Sequence, residues 1–325
     1  MASSSVPNLK LNNGTEIPAV GMGCWMGGFG EEQRAYDMCS KALKCGYRHF
    51  DTASGYGNEE AVGRALRESG IPRNELYVTT KLPNAGHHRV RECFDESLKA
   101  LDLDYIDLYL IHWPQGERPS GDVRRTGGNF GGTSYVAPDE APTIVDVWKE
   151  MEKLLETGKV RTIGVSNFSV KTLSRLLPHC TVVPAVNQVE MHPCLPQEEL
   201  KTFCAEKGIV LTGYSPLGRS KTLLEYPAVN EIAEKAGASP AQVLLSWAVQ
   251  RGTTVVPKSE DEGRMAANLK LIPLSPSDMQ AIDAIHKQPG MHKSLLKYHN
   301  ADGTVMGWTY EQLGWNFGVG GVVKE

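Results

Sequence analysis

Several features are absent from this 325-residue chain, and each absence closes off a class of function. No apolar run approaches the roughly 20 residues that a membrane helix needs. No arginine-rich or lysine-rich stretch suggests nucleic acid or a charged membrane surface, and 34 basic against 38 acidic residues leave a formal charge of only −4. The opening MASSSVPNLK has no basic start followed by an apolar core, so it does not read as a secretory signal, and the closing GVVKE matches no retention or peroxisomal address. The seven cysteines are odd in number, scattered, and nowhere spaced C-x-x-C. That argues against a disulfide framework or a structural zinc cluster and for reduced thiols in a cytosolic protein.

What is present is an ordinary globular composition, 41% hydrophobic and 22% charged, with ample material for a core. Leu9 to Val20 predicts a β-hairpin around Asn12-Asn13-Gly14, short enough to plug or lid something larger. After the glycine-rich GMGCWMGGFG at 21–30, helical and strand patterns alternate. Helices are expected at about 31–45, 58–69, 89–101, 143–157, 169–177, 197–207, 227–250 and 261–269. Strands are expected near Val20, at Tyr47–Phe50, Tyr77–Lys81, Ile106–His112, Thr162–Val165, Val182–Val189, Ile209–Thr212 and Thr253–Val256. Eight βα units with mostly apolar strands imply parallel pairing and burial on both faces, hence a closed (β/α)8 barrel forming one domain over residues 1–325. A doubly wound open sheet is the alternative. It would carry G-x-G-x-x-G after its first strand, and here Met26 stands where the third glycine belongs. Two segments fall outside the alternation. A long loop, 114–142, leaves directly from His112, and an aromatic tail from about 287 onwards is expected to pack back onto the barrel.

Barrel enzymes place their chemistry at the C-terminal ends of the strands. Asp51, Lys81 and His112 fall there on successive strands, and Tyr56 follows in the loop after Asp51, within HFDTASGYGNE. Taken singly, Asp51 reads as a turn or cap residue, Tyr56 as a packing or surface residue and His112 as a hydrogen-bonded core histidine, whereas a lysine that ends an apolar strand, as Lys81 does, is seldom left without a partner. Together they are complementary. A phenol holds its proton at neutral pH, an adjacent ammonium eases its release, and a carboxylate keeps that ammonium charged and oriented. A neutral imidazole adds a second hydrogen bond to a carbonyl oxygen. No side chain donates hydride, so such a site needs a cofactor.

These residues lie in a sequence that resembles the aldo-keto reductases over nearly its full length. GMGCWMG, HFDTASGYGNE, TTKL, LYLIHWP, GVSNF, VNQVEMHP, GYSPLG and VPKS are similar to the motifs of that family and come in the same order. The resemblance implies a (β/α)8 barrel and assigns Tyr56 as general acid in reduction, with Lys81 and Asp51 tuning it and His112 orienting the carbonyl. It also implies that Gly23, Cys24, Trp25 and Asp51 border the cofactor. Ser166, Asn167 and Gln188 would bind a nicotinamide carboxamide, with Tyr214 against the ring and Ser215 and Leu217 along the pyrophosphate. Lys258, Ser259, Arg264 and Asn268 would hold the adenosine end. Lys258 and Arg264 flanking Ser259 in a strand-to-helix connection suit a 2′-phosphate, hence NADPH over NADH. A solvated lysine and an ordinary helix arginine are the plain alternative. Trp25, Tyr56, His112 and Trp113 would line the substrate pocket, and the short stretch between Gly218 and Tyr226 suggests that it is open on that side. Arg124 and Arg125 are candidates for a polar substrate, though two arginines in a glycine-rich loop also suit solvent.

Departures from the family pattern are Cys24 for a threonine, Met26 for a lysine and Ala267 for a glutamate, with Asp261 and neighbouring acids close to the expected phosphate site. The expectation is a cytosolic, NADPH-dependent reductase of aldehydes, aldoses or some ketones. It would be a monomer or weak dimer with a small carbonyl substrate and no nucleic-acid, membrane or metal partner. The alternatives are the reverse reaction on polyols such as glycerol, a non-catalytic NADPH-binding regulator, and a metal-dependent barrel hydrolase. The last would need more strand-end ligands than Asp51 and His112.

Overall fold

The computed structural model describes residues 6–118, 134–219 and 221–324. A two-stranded hairpin, β1 (Asn8–Lys10) and β2 (Glu16–Pro18), comes first. Eight parallel strands follow: β3 (Met22–Gly23), β4 (His49–Asp51), β5 (Tyr77–Leu82), β6 (Ile106–Ile111), β7 (Val160–Ser166), β8 (Val186–Glu190), β9 (Val210–Tyr214) and β10 (Thr254–Val256). They pair in chain order from β3 to β10. The sheet then closes on itself. Val255 N donates to Ala19 O at 2.8 Å, Gly21 N to Val255 O at 2.8 Å and Gly23 N to Pro257 O at 3.0 Å. A Cβ on Gly23 would lie 2.7 Å from the Val256 carbonyl oxygen, so only glycine fits this seam.

Alternation along each strand sorts the core into two layers. On β6, Leu108 and Leu110 face the barrel interior and meet Leu11 and Ile17 of the hairpin, together with Tyr77, Ala185 and Val186. The hairpin is therefore the plug that the sequence allowed, at the end of the barrel away from the strand C-termini. Tyr109 and Ile111 face the other way, into the layer between strands and helices. The first helix, Glu32–Cys45, supplies Ala35, Met38, Cys39, Ala42 and Leu43 to that layer at helical spacing. It stops at Gly46, whose left-handed φ of 106° lets its N–H reach back to the Ala42 and Leu43 carbonyls.

The expected helices at 227–250 are in fact two, Pro227–Ala236 and Pro240–Gln250. Gly237 turns left-handed at φ 60°, and Ser239 opens the second helix with a capping box to Gln242. Three further helices went unread: Lys221–Leu224, inside the stretch taken as short and open, Pro276–Asp283 after the last βα unit, and Tyr310–Leu313 in the tail. The first barrel strand lies slightly beyond Val20, which joins the sheet only through a bridge to Val255.

The tail packs on the barrel. It carries a small hairpin, β11 (Thr304–Val305) and β12 (Trp308–Thr309). Val305, Met306, Trp308, Tyr310, Leu313 and Phe317 form a second buried cluster with Trp113 and Leu195. Polar contacts help to pin it, among them Gln115 Nε2 to Val305 O at 2.8 Å, Trp308 Nε1 to Val136 O at 2.7 Å and Ser169 Oγ to Leu313 O at 2.6 Å. Arg124 and Arg125 lie outside the described residues. All seven cysteines are unbridged, and among the described residues no helix is long and apolar enough to cross a membrane.

Candidate active site

Asp51 ends β4, Lys81 lies near the end of β5, and His112 follows β6 directly. Tyr56 closes a single 3₁₀ turn, Ser54–Tyr56, that follows β4. Adjacent parallel strands thus bring together residues that are 61 positions apart at the extremes (51 to 112). Lys81 is completely buried, and its Nζ donates to Asp51 Oδ1 at 2.7 Å and to Thr52 O at 2.8 Å. Gln188 Nε2 donates to the other carboxylate oxygen, Oδ2, at 2.6 Å. The Tyr56 ring is held between Trp25 at 5.0 Å and the edge of His112 at 5.7 Å, with the Lys81 ammonium 5.3 Å from its centre.

Electrostatics follow from this packing. Burial works against the Lys81 charge, but Asp51 and Tyr56 outweigh it and hold its pKa above the ordinary lysine value. Burial pushes the Tyr56 phenol up, and Lys81 pulls against it without prevailing, so the free site keeps the phenol protonated. Desolvation is a larger effect on the phenol than the ammonium, the reverse of what the residue types alone imply. Burial, helped by Lys81, drives His112 well below the usual histidine range, so its imidazole is neutral.

A turn network that carried no assigned role supports the foursome. Buried Asn58 donates to Cys24 O at 2.9 Å and accepts from Thr52 Oγ at 3.0 Å, tying the turn after β4 to the loop after β3. Gly30 N donates to Tyr56 O at 2.9 Å in the same place. Asn58 stands inside HFDTASGYGNE, so its position was visible but its partner was not.

The remaining expected residues gather at the same barrel mouth. Ser166 Oγ donates to Gln188 O at 2.8 Å, and Asn167 Nδ2 donates to the His112 carbonyl at 2.9 Å. Asn167 and Ser215 are non-glycine residues in left-handed conformation, φ 65° and 50°, a strained backbone that surrounding contacts must hold. Tyr214 donates its hydroxyl to Asn167 Oδ1 at 2.7 Å, which fixes the ring at the end of β9, with Leu217 in the turn beyond. Trp113 is buried, and its indole N–H has no hydrogen-bond partner among the described residues. Cys24 turns into the core, its sulfur 3.8 Å from that of Cys39, and Met26 is buried as well.

Beyond β10, Ser259 and Asn268 are buried, while Lys258 and Arg264 reach the surface. Lys258 does not stand as a free cation: Glu260 pairs with it. Asp261 caps the helix Glu262–Asn268 by accepting from Arg264 N at 2.8 Å. Glu260 and Asp261 are therefore both engaged at this segment.

Two further groups were not foreseen. Arg219, exposed after Gly218, is near enough to Tyr56 for its charge to favour the phenolate. Buried Glu190, at the end of β8, accepts from His192 Nε2 at 2.8 Å, Ser294 Oγ at 2.7 Å, Leu295 N at 2.8 Å and Tyr298 OH at 2.7 Å. Burial raises the Glu190 carboxyl, but these donors, led by His192, more than offset it. Tyr298 in turn lies 5.4 Å from the Trp113 ring, so a strand-end carboxylate anchors the tail beside the expected pocket.

Comparison with known proteins agrees with this architecture. The profile of the Aldo/keto reductase family matches residues 19–287. Glycerol 2-dehydrogenase (NADP(+)) of Saccharomyces cerevisiae is 44% identical over 289 residues, covering 87% of this chain and 91% of that protein. D-galacturonate reductase of Hypocrea jecorina is 46% identical over 295 residues, covering 90% and 94%. The solved structure of the aldose reductase from Schistosoma japonicum superposes with a TM-score of 0.77 at 37% identity, covering 86% of this chain and 91% of that one.

Proposed function

The chain belongs to the Aldo/keto reductase family, and on that footing we propose that it is a cytosolic enzyme reducing aldehydes to alcohols with NADPH, Tyr56 donating the proton. The observation that carries this reading is the buried Asp51–Lys81 pair against a protonated Tyr56 and a neutral His112. No metal-free hydrolysis or simple binding role needs all four in those states.

The bound dinucleotide would supply hydride, which no side chain can. The donor set at the barrel mouth suits it. Ser166, Asn167 and Gln188 offer amide and hydroxyl groups for a carboxamide, and Tyr214 offers a ring face locked by Asn167. Ser215 and Leu217 would run along a pyrophosphate, and Lys258, Ser259, Arg264 and Asn268 would take the adenosine end.

The protein's own part is to bind and to move one proton. His112, uncharged, donates to the substrate carbonyl oxygen and holds it toward Tyr56. The unpaired Trp113 N–H adds a donor from the pocket wall. As negative charge grows on that oxygen, the Tyr56 hydroxyl gives up its proton, and Lys81 stabilises the phenolate left behind. Asp51 keeps Lys81 charged in a site where burial opposes charge. In the reverse direction the phenolate accepts the proton of an alcohol, the direction named for the glycerol dehydrogenase relative.

The test is Tyr56→Phe, assayed by NADPH oxidation across aldehydes, aldoses, glyceraldehyde and uronic acids. Turnover is expected to fall by about 10²-fold or more, while NADPH still quenches tryptophan fluorescence. Turnover retained within a few-fold would refute the assigned acid.

A further inference from the structure

Three charged side chains meet just beyond β10. Glu260 Oε1 accepts from Arg34 Nη2 at 2.8 Å and also from the Lys258 ammonium. Its second oxygen accepts from Arg34 Nε at 3.2 Å. Arg34 belongs to the first helix, and its remaining amino group reaches Glu31 at 3.2 Å. One carboxylate therefore bridges two cations from segments more than two hundred residues apart, with four formal charges that cancel. This happens at the very lysine assigned to the 2′-phosphate.

We infer that Glu260 is the residue that sets the preference between NADPH and NADH, acting as a built-in competitor for the 2′-phosphate. The inference rests on the reading of Lys258 as a phosphate ligand. A 2′-phosphate arriving at Lys258 must open the Lys258–Glu260 pair, and the displaced carboxylate repels it. A cofactor with a plain 2′-hydroxyl meets neither cost. Arg34 works in the opposite sense, because it holds both oxygens of the Glu260 carboxylate and offsets its charge, leaving a place for that carboxylate when Lys258 turns to the phosphate. The side chain of Glu260 is part-exposed, so it can swing into water without burying its charge. Hydrogen bonds from Arg34 and Lys258 hold its carboxyl down at about 2, so protonation does not relieve the competition near neutral pH. The resulting enzyme discriminates less sharply between the two dinucleotides than a site with an uncontested lysine.

The experiment is a fluorescence titration of the full chain and two surface variants with NADP+ and with NAD+, at two salt concentrations. Glu260→Gln should tighten NADP+ about tenfold, more at low salt, and leave NAD+ unchanged. Arg34→Ala should move NADP+ the other way, several-fold weaker, again sparing NAD+. Oppositely signed effects confined to the phosphorylated cofactor are not what a general loss of structure produces. The inference is overturned if Glu260→Gln leaves NADP+ affinity unchanged, weakens it, or shifts NAD+ equally. Wild-type protein that binds neither dinucleotide would overturn the reading beneath it as well, whereas wild-type NADP+ binding with an indifferent Glu260→Gln overturns this inference alone.

Discussion

Gln188 donates its side-chain amide to Asp51 at 2.6 Å, on the carboxylate oxygen opposite the one that Lys81 holds. β8 lies four strands from β4 in the sheet, so this bond crosses the mouth of the barrel. It links a residue expected at the cofactor carboxamide to the carboxylate that orients the lysine.

Gln188→Leu should therefore do more than weaken cofactor binding. It leaves one oxygen of a buried carboxylate without a donor, at a cost of about 1–3 kcal/mol, read as a lower urea midpoint. Gln188→Glu should be worse in both stability and kcat, since it sets a second carboxylate against Asp51. A Gln188→Glu enzyme with wild-type kcat would break the link.

Lys81→Met tests the buried pair itself. Lys81 is wholly buried and Asp51 nearly so. Removing the ammonium strands the carboxylate, and about 3–5 kcal/mol of stability should go with it, together with turnover. Pairing it with Asp51→Asn should recover part of the stability but none of the activity. Equal stability for wild type and Lys81→Met, measured by denaturant unfolding, would contradict the pairing.

Acid sensitivity should trace in part to His49. Its ring lies between Pro18 O and Thr79 Oγ, both at 3.2 Å, and burial lowers its pKa to about 4. The unfolded chain, with a histidine near 6.5, binds the proton first as pH falls. Between about 6.5 and 4 the unfolded state holds more protons than the folded one, so stability declines as pH drops through that window. Relative to wild type, His49→Gln should lose less stability between pH 7 and pH 4.5, measured as urea midpoints. Parallel curves for the two proteins would rule His49 out as a contributor.

Glu190 should prove the tail's anchor. Four donors converge on its buried carboxylate, two of them from Ser294 and Leu295. Glu190→Gln turns an amide toward donors that need acceptors and should cost about 1–3 kcal/mol, with faster proteolytic cleavage beyond residue 287. Tyr298→Phe removes one donor of the four and should cost about 1 kcal/mol or less. Equal protection of the tail in wild type and Glu190→Gln would refute the anchor.

The parts of the fold that could be read from the sequence were those set by local pattern. The apolar strand Ile106–Ile111, followed by His112, announces a buried strand with something polar at its end. The β–α alternation announces a barrel because parallel strands need crossover helices. The four proton-handling residues stood out because strand ends are where a barrel exposes its chemistry. Helix breaks were less legible: Gly237 and Ser239 divide what periodicity ran together.

Tertiary structure decided what each group meets. That Gln188 finds Asp51, that Arg34 reaches Glu260, and that Glu190 collects donors from the tail depend on barrel closure and on segments about a hundred residues or more apart. The protonation states belong to the same level. The sequence supplies a phenol and an imidazole, but only burial beside Lys81 leaves the first protonated and the second neutral, because desolvation exists only once the chain has closed around them.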